Sequence, residues 1–106
     1  MCPAEAVFWG NLGGAYGNKG AFEDSVSALK RGVEIAPDSL DLRKNLSATY
    51  MRMRAYDKAL STLEEIPPSK RAKSIEIETL IKSLKEKVLQ AATDPHSTGQ
   101  KETQKN

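Results

Sequence analysis

The chain has 106 residues, of which 39% are apolar, 28% charged and 6% aromatic, a balance that suits one small, surface-rich helical domain and argues against a packed β-sandwich. Sixteen basic against fourteen acidic side chains leave a net charge of +2, too little for a phosphate-binding footprint, so nucleic acid is not the expected partner. The single cysteine, Cys2, cannot form an internal disulfide, which points to a reducing, cytoplasmic setting.

Met1-Cys2-Pro3-Ala4-Glu5 has neither the basic nor the apolar stretch of a secretion signal, and no apolar run is long enough to span a membrane. These expectations hold for a complete chain and lapse for an excised piece of a longer one.

The first predicted element runs over residues 3–17, with Pro3 in its first turn and Val7, Phe8, Leu12, Ala15 and Tyr16 at helical spacing. It also carries Gly10, Gly13, Gly14 and Gly17, each costing about 1 kcal/mol relative to alanine, so packing rather than propensity must hold it. Asn18-Lys19-Gly20 signals a turn, and Phe22, Val26, Leu29, Val33 and Ile35 mark a second helix over 22–35. Pro37-Asp38-Ser39 stops it and offers Asp38 or Ser39 as N-cap for a third helix over 39–53.

After a break at Arg54 and Ala55, a fourth helix is expected over 56–66, with Ala59, Leu60 and Leu63 inward and Asp57, Lys58, Glu64 and Glu65 outward. Pro67-Pro68 ends it. A fifth helix is expected over 69–92, with Ile77, Leu80, Ile81, Leu84 and Val88 as its apolar stripe and Lys82, Lys85, Glu86 and Lys87 facing water. Residues 93–106 lack bulky apolar side chains and read as a disordered tail, in which the lone His96 has no positioned partner for proton transfer.

Shifting the chain by thirty-four residues aligns Asn11 with Asn45, Leu12 with Leu46, Gly13 with Ser47, Tyr16 with Tyr50, Phe22 with Tyr56, Ser25 with Ala59, Val26 with Leu60 and Leu29 with Leu63. With this repeat the sequence resembles the tetratricopeptide repeat (TPR) family, a helix–turn–helix unit with a large residue, Leu-Gly, Tyr, a small residue, an aromatic and a proline at set offsets. In the first unit the pattern is Trp9, Leu12, Gly13, Tyr16, Gly20, Phe22, Ser25, Leu29, Gly32 and Pro37. In the second it is Leu46, Ser47, Tyr50, Tyr56, Ala59 and Leu63, with Arg43 in the place of the large apolar residue and Pro67-Pro68 earlier than the pattern sets.

The small residues Gly13, Ser25, Ser47 and Ala59 suit close helix approach, and Trp9, Tyr16, Phe22, Tyr50 and Tyr56 are expected to fill the space between layers. The resemblance implies an all-α, right-handed α-solenoid: unit one over 3–38, unit two over 39–68 and a capping helix over 69–92. Two repeats are fewer than a continuous core normally needs. The fifth helix is the expected cover at one end, while the outer side of the first helix is open to self-association or to a missing upstream repeat.

The resemblance further implies that the first helix of each pair lines a concave groove, contributed here by Val7, Gly10, Asn11, Gly14, Gly17 and Asn18 and by Asp41, Lys44, Asn45, Ala48, Met51 and Arg52. Asn11 and Asn45 occupy equivalent positions, and an amide that both donates and accepts suits the backbone of an extended peptide. Lys44 and Arg52 favour an acidic segment or a terminal carboxylate, partly offset by Asp41. The candidate partner-binding residues are thus Asn11, Asn18, Lys44, Asn45 and Arg52.

Co-chaperone members of the family clamp a terminal carboxylate with two such asparagines and several cations. Here Val7 stands in place of the first lysine, and Ile75 and Thr79 in place of the third helix's cations, so a full clamp is not expected. The expected function is a scaffold or adaptor for a protein or peptide partner, the alternative a structural or self-associating repeat piece of a larger protein. No phosphate-binding loop, metal-ligand set or nucleophile–base pair is present, so neither an enzyme nor a cofactor is expected, and the fifth helix lacks the aromatic residues of a membrane anchor.

Overall fold

The computed structural model describes residues 3–93. The expectations for Cys2, His96 and the disordered tail lie outside the described residues, apart from Thr93, which ends the last helix. The described residues form six helices and no strand: α1 Pro3–Asn18, α2 Phe22–Ile35, α3 Leu40–Arg52, α4 Tyr56–Glu64, α5 Pro68–Arg71 and α6 Ile75–Thr93. The all-α expectation is met. Helix α1 packs on α2, α2 on α3, α3 on α4 and α4 on α6.

The repeat is visible in the backbone of the two turns. Ala21 donates to the Tyr16 carbonyl and Ala55 to the Tyr50 carbonyl, each at 2.9 Å and each thirty-four residues from its counterpart. Both turns pass through the left-handed region, at Gly20 with φ 80° and at Arg54 with φ 63°. Glycine adopts that conformation freely, whereas an L side chain is held there at a cost of about 1–2 kcal/mol.

The contact inside each hairpin also repeats, with donor and acceptor exchanged between helices. In unit one Ser25 Oγ on α2 donates to the Gly13 carbonyl on α1 at 2.8 Å. In unit two Ser47 Oγ on α3 donates to the Ala59 carbonyl on α4 at 3.2 Å. A hydroxyl therefore satisfies a buried helix carbonyl at the tightest point of both pairs, where an unmade bond costs about 1–3 kcal/mol. Ser25 Oγ also lies 3.3 Å from Thr49 Oγ1, tying α2 to α3.

Leu29, Leu42, Leu46, Tyr50, Ala59, Leu63, Ile66, Ile77, Ile81 and Leu84 form one buried cluster that runs from α2 to α6. Of the aromatics expected between layers, Tyr50 is buried, while Trp9, Tyr16, Phe22 and Tyr56 are half-buried. Ser39 proves to be the cap of α3, its hydroxyl accepting from the Leu42 N–H at 3.2 Å.

Two expectations are corrected. The stripe read on α1 is not its buried face: Val7, Phe8 and Ala15 are exposed, and the helix turns Ala6, Gly13 and Gly17 inward. The contact with α2 is made through missing side chains, because a Cβ at Gly13 would lie 2.5 Å from Leu29 Cγ. Nor does one helix cover residues 69–92. The chain makes the short α5 on Pro68, stops, and restarts at Ile75, where Ser74 Oγ accepts from the Ile77 N–H at 3.3 Å and Glu76 and Glu78 occupy the positive end of the helix dipole.

Arg43, the departure from the family pattern, is buried and fully engaged. Its Nε donates to the Pro37 carbonyl at 2.9 Å, and its Nη1 to the Thr62 carbonyl at 3.2 Å and to Glu65 Oε1 at 2.7 Å. Because Glu65 is largely exposed, its loss as a partner matters less than leaving the buried Thr62 carbonyl and the part-buried Pro37 carbonyl without this donor. Arg43→Ala is expected to lower unfolding free energy by about 1–2 kcal/mol, and Arg43→Leu, which restores an apolar filling, by less than half of that, as measured by urea titration.

Candidate functional site

Helices α1 and α3 enclose a depression of about 540 Å³ on one face of the molecule. Ala6, Val7, Gly10 and Asn11 form its α1 wall, and Asp41, Leu42, Lys44 and Asn45 its α3 wall. A second depression of about 550 Å³ begins at the same Lys44 and Asn45 and continues past Ala48, Met51 and Arg52 to Tyr56, Glu76, Leu80 and Lys87. Together they make a trough that crosses α1, α3 and α6, with Asn45 on the rise between its halves. Its floor is shallow near α1 because Gly10 leaves room for Leu42, whose Cδ2 would stand 2.9 Å from a Cβ there.

Asn11 and Asn45 are both exposed. The only hydrogen bond to a described side chain at either residue is accepted by the Asn45 backbone carbonyl, from Thr49 Oγ1 at 3.1 Å, which leaves both amides open to a ligand. Lys44 is held by a carboxylate from the far side of the trough, Nζ to Glu76 Oε1 at 2.9 Å. The hydrogen bond to Glu76 raises the Lys44 pKa above its ordinary value against an opposing effect of burial, with smaller contributions from the charges of Glu76 and Asp41, so Lys44 stays an ammonium ion at neutral pH.

Arg52 lies at the other end of the trough with its guanidinium carbon 4.8 Å from the centre of the Phe22 ring. Lys87 Nζ stands 5.4 Å from the Tyr56 ring centre. Both cations rest on aromatic faces that restrict them without neutralising them. Among the described residues neither makes an ion pair, whereas Lys44 does.

The structure thus brings Asn11, Lys44, Asn45 and Arg52 to one trough. Asn18 is exposed at the last turn of α1 and lines neither depression. Gly14 is also exposed, and Gly17 is buried, facing Ser25 and Arg52, and lines neither depression. Ile75 is 83% exposed and Thr79 is exposed, in the places where the carboxylate clamp would need cations. Glu76 and Lys87 were not among the sequence-derived site residues. Their spacing from Leu80, four residues before and seven after, places all three on one face of α6.

A family model described as tetratricopeptide repeat matches residues 19–84, more than half of the chain. The chain belongs to the tetratricopeptide repeat family. TPR units are protein-interaction modules, and the two hairpins here carry that general role. No curated protein and no solved structure matches the chain. Among the described residues no helix is long and apolar enough to cross a membrane, and no group of three or more His, Cys, Asp or Glu side chains is placed to hold a metal ion.

Proposed function

We propose that this TPR protein is an adaptor that holds an extended, acidic peptide segment of a partner protein in the trough across α1, α3 and α6. Residues 3–38 and 39–68 act as the two repeat units, and 69–92 cover the second and supply its outer wall. The reading rests on one observation: Asn11 and Asn45, equivalent in the repeat, line a single depression with their amides unpaired. Each amide can donate to a peptide carbonyl and accept from a peptide N–H, recognition that is independent of ligand side chains.

Sequence preference comes from the flanks. Ala48, Met51 and Leu80 offer an apolar seat for a ligand side chain, and Arg52 and Lys87 attract carboxylates on either side of it. Lys44 contributes less, because an incoming carboxylate must compete with Glu76. A cytoplasmic setting belongs to the same reading and is supported by the lone cysteine.

Selection from a display library of unstructured peptides, followed by calorimetry, tests the proposal. Acidic segments are expected to be enriched, and Asn45→Ala to weaken the selected peptide about tenfold, equivalent to ~1.4 kcal/mol, with helicity unchanged. Equal affinity of variant and parent would refute the role of the amide.

A further inference from the structure

The two units differ most at the edge that precedes each first helix. In unit two, Leu42, Arg43, Leu46 and Tyr50 on α3 are 4–9% exposed. Helix α2 packs beside them, and its Lys30, Val33 and Glu34 form one wall of an open cleft of about 480 Å³ that Arg43, Leu46 and Tyr50 also line. Thirty-four residues earlier, the same face of α1 carries Phe8, Trp9, Leu12 and Tyr16. Phe8 is 56% exposed and packs edge-on against Trp9 at 5.3 Å, and the other three are half-buried. Trp9, Leu12 and Tyr16 line a cleft of about 300 Å³ with Asp24, Ser27, Ala28 and Arg31 of α2, at positions equivalent to those that Arg43, Leu46, Tyr50 and α4 contribute to the cleft in unit two.

The charges on this edge are inverted relative to those of unit two. Asp24 stands where unit two has Lys58, and Arg31 where it has Glu65. Asp24 and Arg31 are exposed, seven residues apart on one face of α2, with two small residues midway between them, Ser27 exposed and Ala28 buried beneath it. Such a face is its own complement. A second α2 crossing it antiparallel, with a two-fold axis between residues 27 and 28, sets Asp24 of each copy against Arg31 of the other. The small central residues allow the helices to approach to about 8–10 Å. Among the described residues the Arg31 side chain pairs with Glu34 of its own helix at 3.3 Å, an exposed pair that is easily exchanged.

We infer that a second copy of this chain docks on the outer edge of unit one, α2 against α2, covering Phe8, Trp9, Leu12 and Tyr16 in both copies. The inference does not rest on the peptide-binding trough, which takes Ala6, Val7, Gly10 and Asn11 from α1, whereas this edge takes Phe8, Trp9, Leu12 and Tyr16. Sedimentation velocity and light scattering over a concentration series read it directly: the mass is expected to rise from 11.6 kDa toward twice that value.

Asp24→Lys and Arg31→Glu each place like charges together at both ends of the pairing and are expected to raise the dimer dissociation constant at least tenfold. The double variant Asp24→Lys/Arg31→Glu restores opposite charges and is expected to restore the dimer, with circular dichroism unchanged in all three. Where a single reversal unfolds the chain, Phe8→Ser replaces it as the disrupting variant, because that ring is mostly outside the fold. A monomer at every concentration, a dimer indifferent to the single reversals and to Phe8→Ser, or failure of a folded double variant to recover association would overturn the inference.

Discussion

Leu84→Ala is expected to remove about 2–5 kcal/mol of unfolding free energy, a large share of what a domain of this size possesses. Leu84 has no exposed surface and joins Leu63, Ile66, Ile77 and Ile81 in the cluster that fastens α6 to the second hairpin. Truncation removes three carbon atoms and leaves a cavity in the seam between α4 and α6. Ile75→Ala, at the exposed start of the same helix, is the control and is expected to change stability by less than about 0.5 kcal/mol. Urea unfolding followed by circular dichroism separates the two. A similar small effect for both would mean that α6 does not cover unit two.

Gly13→Val is expected to cost about 3 kcal/mol, at the upper end of what overpacking costs in a filled core. A Cβ at Gly13 falls 2.5 Å from Leu29 Cγ and 2.8 Å from Leu29 Cδ2, and Leu29 is itself buried, so the side chain has nowhere to withdraw. Relief requires α1 to move away from α2, which would break the bond from Ser25 Oγ to the Gly13 carbonyl. The neighbouring Gly14 gives the opposite result. It is exposed, and a Cβ there meets no atom within 4 Å, so Gly14→Ala should stabilise the protein by up to about 1 kcal/mol through helix propensity. Equal responses at the two glycines, measured as midpoints of thermal unfolding, would contradict the close approach of α1 and α2.

These two glycines also explain what the sequence disclosed and what it withheld. Four long helices were legible because turn residues and apolar spacing agree with the repeat: Asn18-Lys19-Gly20, Pro37-Asp38-Ser39 and the matched Tyr16 and Tyr50 all carry local signals. The inward face of α1 was not legible. Periodicity is read from side chains that are present, and Gly13 and Gly17 make their contact by lacking one, so Val7, Phe8 and Ala15 presented a false stripe. The restart at Ile75 had a local signal, Ser74 ahead of Glu76 and Glu78, which the continuous apolar pattern from Ile77 onward obscured.

The trough shows the same division. Asn11, Lys44 and Asn45 follow from repeat register, because Asn11 and Asn45, and Gly10 and Lys44, are equivalent pairs that line one depression, whereas Arg52 lines the trough although its counterpart Asn18 does not. Glu76 and Lys87 share a helix face with Leu80 by their spacing, but they reach the trough only through the docking of α6, a nonlocal event. The engagement of Arg43 with Pro37, Thr62 and Glu65 is of that kind as well. Its sequence signature was a missing apolar residue, and the three acceptors that replace apolar packing come from two other segments.

The pairing of the two amides in one binding trough is tested most directly by side-chain amide resonances of Asn11 and Asn45 in a nuclear magnetic resonance titration with a selected acidic peptide. Both amide groups are expected to shift together along one saturating curve, while that of Asn18, outside the trough, stays in place. Saturable peptide binding that leaves the Asn11 and Asn45 resonances unmoved would contradict the account.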